Sequence, residues 1–173
     1  FSIRPPGKRD FYTSIVYLEP FDARNQRAFG YDMYTEPVRQ EAMKRARDTA
    51  DPALSGKVQL LQEDGQDIQH GILVYVPVYK NGAPINTVDE RREALIGWIY
   101  SPFRMKNLMA GLLSQENGTG TSTQSYTADS TIGVRIYSGS SIAPENLIFD
   151  SHPQLPIDLD SPFIYRQKMA VYG

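Results

Sequence analysis

The chain is 173 residues long, 40% hydrophobic and 22% charged, with a net charge of −2, which is enough for one good-sized core or two small modules. A balance so close to neutral gives no field to draw the domain onto nucleic acid or anionic lipid. With no cysteine and only His70 and His152, thiol catalysis, disulfide scaffolds and cysteine metal sites are excluded, and no apolar run reaches the roughly 20 residues of a membrane span. The first residue is Phe1 and not Met, so the sequence is expected to be an internal fragment whose anchoring segments lie elsewhere.

Residues 1–10 have turn-rich composition and are predicted as loop. Ile15, Val16, Tyr17 and Leu18 form a short apolar run, so residues 11–19 are predicted as a buried strand ended by Pro20. The clearest helix starts at Thr35, with Thr35 as cap, Glu36 at the positive end of the dipole and Pro37 in the first turn. Val38, Ala42, Met43 and Ala46 keep its apolar spacing, and it fades at Asp48-Thr49. Arg39, Glu41, Lys44, Arg45, Arg47 and Asp48 are expected on its solvated face, with a Glu41–Arg45 ion pair.

Residues 58–62 and 72–79 are β-branched and aromatic-rich and flank the polar Glu63-Asp64-Gly65-Gln66-Asp67, which predicts a hairpin. A short helix is expected near 88–93, a strand over 94–100, and a helix over 103–113 with Phe103, Leu108, Leu112 and Leu113 on one stripe. Residues 114–131 are a low-complexity polar stretch. Three strands are predicted after it, at 132–137, 147–150 and 163–171. The pattern is α+β, a small sheet-and-helix unit that recurs without a detectable sequence repeat.

No His-Glu-x-x-His, P-loop, Gly-x-Ser-x-Gly or paired-cysteine motif is present, so no catalytic or metal-ligating set is assigned and no cofactor is implied. His70 at a hairpin edge and His152 before Pro153 are expected to be solvated or locally bonded. Asn117-Gly118-Thr119 matches the glycosylation pattern, too short a signal to use. Glu19 and Asp22 flank turns. Asp32 differs, because it sits within Phe29-Gly30-Tyr31-Asp32-Met33-Tyr34, where an unpaired charge is costly to bury. Chemistry alone leaves two readings level: Asp32 caps the Thr35 region or pairs with Arg39 or Arg45, or it anchors a small ligand. Eleven tyrosines and the single Trp98 are a heavy aromatic load, and Tyr75, Trp98 and Tyr100 serve core packing by default and pocket lining as the sharper alternative.

In order, these pieces resemble the CHASE family. The resemblance is carried by Phe11-Tyr12 through Leu18-Glu19-Pro20, then Asn25 with Ala28-Phe29-Gly30-Tyr31-Asp32-Met33, and by Glu36-Pro37 with Arg39. It continues through Ala42 with Arg45-Ala46-Arg47-Asp48-Thr49, Ser55-Gly56-Lys57-Val58-Gln59-Leu60 and Gly71 to Tyr79, ending at Arg91-Arg92, Gly97, Phe103 and Arg104. Beyond residue 113 it thins to Val134-Arg135-Ile136-Tyr137 and Leu147-Ile148-Phe149-Asp150.

The resemblance implies two tandem PAS-like modules of antiparallel sheet plus helices. A membrane-distal one over 1–113 would carry the ligand pocket, a membrane-proximal one would cover 114–173, and the stalk helix would be trimmed away. It implies a periplasmic, extracytoplasmic part of an inner-membrane receptor, flanked by membrane helices absent from this chain and homodimeric in full length. The output would be a histidine kinase, a diguanylate cyclase or phosphodiesterase, or an adenylate cyclase. By motif, the ligand-holding positions of the family's plant cytokinin receptors resemble Asp32 and Leu60 here, with Tyr75, Val76, Trp98, Tyr100 and Ser101 along the lining strands. Tyr75 stands where those receptors have a small hydroxyl residue, and Trp98-Ile99-Tyr100 where glycines leave room. The expectation is therefore a smaller or different ligand. Two other functions stay open: a soluble hydrolase or lyase using Asp32 or Glu19, and a protein-interaction module with a packed interior at Asp32 and a large exposed apolar patch.

Overall fold

The computed structural model describes residues 1–62, 69–114, 133–156 and 158–171, with the side chains of 113 and 114 excepted. The predicted turn at Glu63–Asp67, the glycosylation-like triplet and, past Ser114, the polar stretch 114–131 lie outside the described residues.

A long antiparallel pair carries the fold: β3 (His70–Tyr79) and β4 (Leu95–Arg104), in register from Gly71 opposite Arg104 to Val78 opposite Gly97. The other edge of β3 receives two short strands, β1 (Ala53–Leu54) against Tyr75 and Val74 and β2 (Val58–Gln59) against Gly71 and His70. The predicted hairpin pairing of β2 with β3 is thus observed. The predicted strand at 94–100 runs on to Arg104, which places Phe103 in β4 opposite Ile72 and not on a helix.

Helix α1 (Pro37–Thr49) packs on one face of this sheet. Its cap is Glu36, whose carboxylate accepts from the Val38 and Arg39 N–H groups at 3.1 and 2.9 Å. Thr35 cannot serve, because it lies in a preceding 3-10 turn (Met33–Thr35) and its hydroxyl donates to the Asp32 carbonyl at 2.7 Å. Pro37 at the first helical position has no N–H to lose. Ala50, in the left-handed region at φ 64°, ends the helix. Ala42, Met43 and Ala46 are buried as their spacing predicts, and the Glu41–Arg45 pair forms. Arg39 is the exception to the solvated face, being only 4% exposed.

The short helix α2 (Val88–Ala94) opens with a capping box: Thr87 accepts from the Glu90 N–H, and Glu90 reaches back to the Thr87 N–H. It is tied to the end of α1, where Asp48 accepts from Arg92 at 3.1 and 2.7 Å and from Arg47 at 2.6 Å.

Strand alternation separates two apolar clusters. Leu73 and Tyr75 point toward α1 and pack with Ile15, Ala28, Met33, Val58, Leu60 and the buried face of the helix. On the opposite face, Ile72 packs with α3 (Met105–Ser114) and with a separate two-stranded ribbon, β5 (Arg135–Tyr137) and β6 (Leu147–Asp150), around Met105, Met109 and Phe149. The rest of that outer face is open, with Val76 39% and Ile99 67% exposed.

Two predicted strands do not form. Residues 11–19 make a single bridge, Ser14 to Asp32, because within the apolar run 15–18 Ile15 and Leu18 pack inward while Val16 and Tyr17 face solvent; that spacing of three is not a strand's. Residues 163–171 pair with no strand among the described residues, and Phe163 and Tyr165 stand out into solvent.

Candidate functional site

The N-terminal segment is held to the core through Asp32. This side chain is fully buried, and both of its oxygens are engaged. Oδ1 accepts from the Thr13 N–H at 3.0 Å and the Thr13 hydroxyl at 2.7 Å, and Oδ2 accepts from Arg9 Nε at 2.9 Å. Burial acts to raise the carboxyl's pKa, but the Thr13 bonds and the Arg9 charge outweigh it, so the group sits below its ordinary value. The partner is therefore Arg9, brought in from the loop, and not Arg39 or Arg45. Arg9 also donates to the Pro5 carbonyl and lies over the Tyr12 ring, so one guanidinium fastens the loop to the core.

Arg39 sits in the same buried layer. Its guanidinium lies 5.5 Å from the centre of the Tyr31 ring, donates to the Gln59 carbonyl at 2.8 Å, and comes within 3.5 Å of Glu36. Its Nε is buried and has no hydrogen-bond partner among the described residues. Tyr100 Oη is likewise buried and without a partner among them. Burial pushes the Tyr100 hydroxyl up to about 12 against the field of Arg39, and burial raises Tyr75 well above its ordinary value against the same field. The two tyrosine rings lie 6.1 Å apart on paired positions of β3 and β4. Tyr75 Oη reaches the Met33 sulfur at 3.9 Å. Trp98 closes the layer, its indole N–H donating to the Met43 carbonyl at 3.0 Å and its ring 6.1 Å from Tyr34.

Five of the seven candidate residues, Asp32, Leu60, Tyr75, Trp98 and Tyr100, thus lie on the α1 side of the sheet. Leu60 packs over Gly71 so closely that a Cβ on Gly71 would come within 2.6 Å of its Cγ. Val76 and Ser101 do not join them. Strand alternation turns both to the outer face, where they are exposed. Arg39 was missed as a site residue, although its offsets of three and four from Ala42 and Met43 already place it on the buried stripe.

Of the two histidines, His70 is exposed at the start of β3, and His152 Nδ1 lies 2.7 Å from the Ser151 hydroxyl. Among the described residues no group of His, Cys, Asp and Glu could hold a metal ion, and no helix is long and apolar enough to cross a membrane.

The described residues form an α+β domain whose helix covers a buried cluster of Arg39, Asp32 and several tyrosines. The chain belongs to the CHASE domain family, whose model matches residues 1–149, and CHASE domains are sensory and not catalytic. The chain is also similar to hybrid signal transduction histidine kinase A of Dictyostelium discoideum, at 26% identity over 115 residues. That match covers 64% of this chain and 5% of the relative, so the chain corresponds to a small part of that protein.

Proposed function

We propose that the chain is the extracytoplasmic ligand-sensing domain of a transmembrane signalling receptor, and that a small molecule binds in the layer between α1 and the β3–β4 pair. The observation that carries the reading is a set of buried polar atoms in one aromatic layer without partners among the described residues, Arg39 Nε and Tyr100 Oη, with Tyr34 Oη beside Trp98. Each such group costs about 1–3 kcal/mol while unsatisfied, and a ligand that brings an acceptor to Arg39 and a polar group to Tyr100 recovers that cost. Asp32 serves this site by fixing Arg9 and Thr13 at its margin. Tyr75 and Trp98 fill space, which favours a small ligand.

In this reading residues 1–113 form the membrane-distal PAS-like module, and residues 114–173, with the β5–β6 ribbon, belong to the membrane-proximal one. Membrane helices flank the domain in the full receptor, which works as a homodimer. A histidine kinase is the output favoured by the Dictyostelium relative, ahead of a cyclase or phosphodiesterase. Signalling requires that the ligand bind the two receptor states with unequal affinity.

The test is a thermal-shift screen of small metabolites on this chain, repeated with Tyr100→Phe and Arg39→Lys. A hit that loses its stabilisation in both variants supports the site. A hit indifferent to both places the ligand elsewhere.

One observation favours a second reading, a protein-interaction module. The packed interior at Asp32 coincides with an exposed apolar outer face at Val76 and Ile99. It predicts that Ile99→Asp abolishes partner binding without disturbing any small-molecule response.

A further inference from the structure

A groove of about 400 Å³ opens beside the first turn of α1, at the margin of the α1-side core to which Val38 and Val58 belong. One wall is Val38 of α1, residues 56–59 and His70 of β3; the other is Ser138, Glu145 and Asn146 from the connection between β5 and β6. The volume falls within the roughly 300–1,000 Å³ range of small-molecule sites. The two walls approach closely at Gly56, where a Cβ would stand 3.1 Å from Val38 Cγ1 and 3.3 Å from Ser138 Oγ. Lys57 Nζ crosses the groove to donate to the Glu145 carbonyl at 2.9 Å.

The lining carries donors with capacity to spare. Lys57 has three N–H groups and makes one hydrogen bond among the described residues. The His70 ring makes none among them, and strand register places His70 directly opposite Gln59, whose side-chain amide is a further donor. Glu145 is the one carboxylate in the lining, and its exposed position leaves it in water. No other charged side chain of the described residues lines the groove.

We propose that this groove is an anion site that takes a small carboxylate-bearing metabolite, held by Lys57 and His70, with Gln59 and Ser138 completing its hydrogen bonds. The anion bridges the sheet side of the domain and the β5–β6 connection, so its binding favours the arrangement in which the two are joined. The groove meets the Tyr100 layer at Gln59, whose carbonyl accepts from Arg39, but the proposal does not rest on a ligand in that layer.

Citrate is the probe, titrated into the chain at low ionic strength near pH 6.5 and followed by nuclear magnetic resonance. Saturable shifts at Lys57, Gln59 and His70 are expected, while the indole signal of Trp98 stays still. Lys57→Met weakens citrate by about tenfold or more, the scale of a lost charge-assisted hydrogen bond, and Lys57→Arg restores most of it. Glu145→Gln strengthens it by about twofold to threefold, the scale of an exposed like-charge contact. Burial and the neighbouring Lys57 charge hold His70 below its ordinary value; bound citrate favours the protonated ring, so affinity falls as pH rises through that lowered titration. Affinity unchanged in a folded Lys57→Met protein, or the absence of saturable binding, overturns the site. Weaker citrate binding in Glu145→Gln overturns the anion assignment.

Discussion

Replacing Asp32 with asparagine removes a fully buried charge that accepts three hydrogen bonds. The amide oxygen can keep the two Thr13 bonds, but its NH₂ then meets the Arg9 guanidinium, donor against donor. Breaking a buried ion pair from one side costs about 3–5 kcal/mol. Arg9 retains 26% side-chain exposure and can turn partly to water, which lowers the expected loss to about 2–3 kcal/mol. For a chain of this size that corresponds to a fall in Tm of about 5–10 °C. The loss depends on pH in a defined direction. The folded carboxyl titrates below its ordinary value of 3.8, so its stabilisation is complete above that pH and fades as pH falls through the lower folded value. Urea unfolding of parent and Asp32→Asn should therefore differ at pH 7 and converge below about pH 3.8. A difference under about 0.5 kcal/mol at pH 7, or one that does not shrink in acid, refutes the role of Asp32 as the clasp of the N-terminal segment.

Gly30 adopts φ +81°, and a Cβ there would lie 2.2 Å from the Ser2 carbonyl oxygen. Gly30→Ala should cost at least about 1–2 kcal/mol and free the first residues to protease, read by thermal melt and limited digestion. Tyr100→Phe deletes a buried hydroxyl that has no partner among the described residues, so stability should stay level or rise by up to about 1 kcal/mol in urea titration while ligand affinity falls. Thr87→Ala breaks the capping box of α2 and should cost about 1 kcal/mol, with faster hydrogen exchange confined to α2.

Helix α1, the β2–β3 pairing and β6 were legible because each rests on local signals: a 3.6-residue apolar stripe, β-branched runs, a bounded four-residue strand. Residues 11–19 misled because their composition is that of a strand while, within the apolar run 15–18, Ile15 and Leu18 reach the core, a distinction made by tertiary contacts. The cap at Glu36 was obscured by Thr35, whose hydroxyl was already engaged by the turn before it. Asp32 was singled out because a charge in an aromatic run needs a partner, but Arg9 is 23 positions away and no periodicity links them. Val76 and Ser101 came from the resemblance to the CHASE family's pocket-lining strand positions. Counting alternate residues from Tyr75 and Tyr100 would have turned both outward.

Trp98 is the only tryptophan of the chain, and it closes the layer in which the ligand is placed. Its indole ¹H–¹⁵N signal, followed while thermal-shift hits are titrated in, reports directly on that layer. A saturable displacement of this signal, lost in Tyr100→Phe and Arg39→Lys, is the result the account predicts. A ligand that loses its stabilisation in Tyr100→Phe and Arg39→Lys and yet leaves Trp98 unmoved in the parent would contradict it.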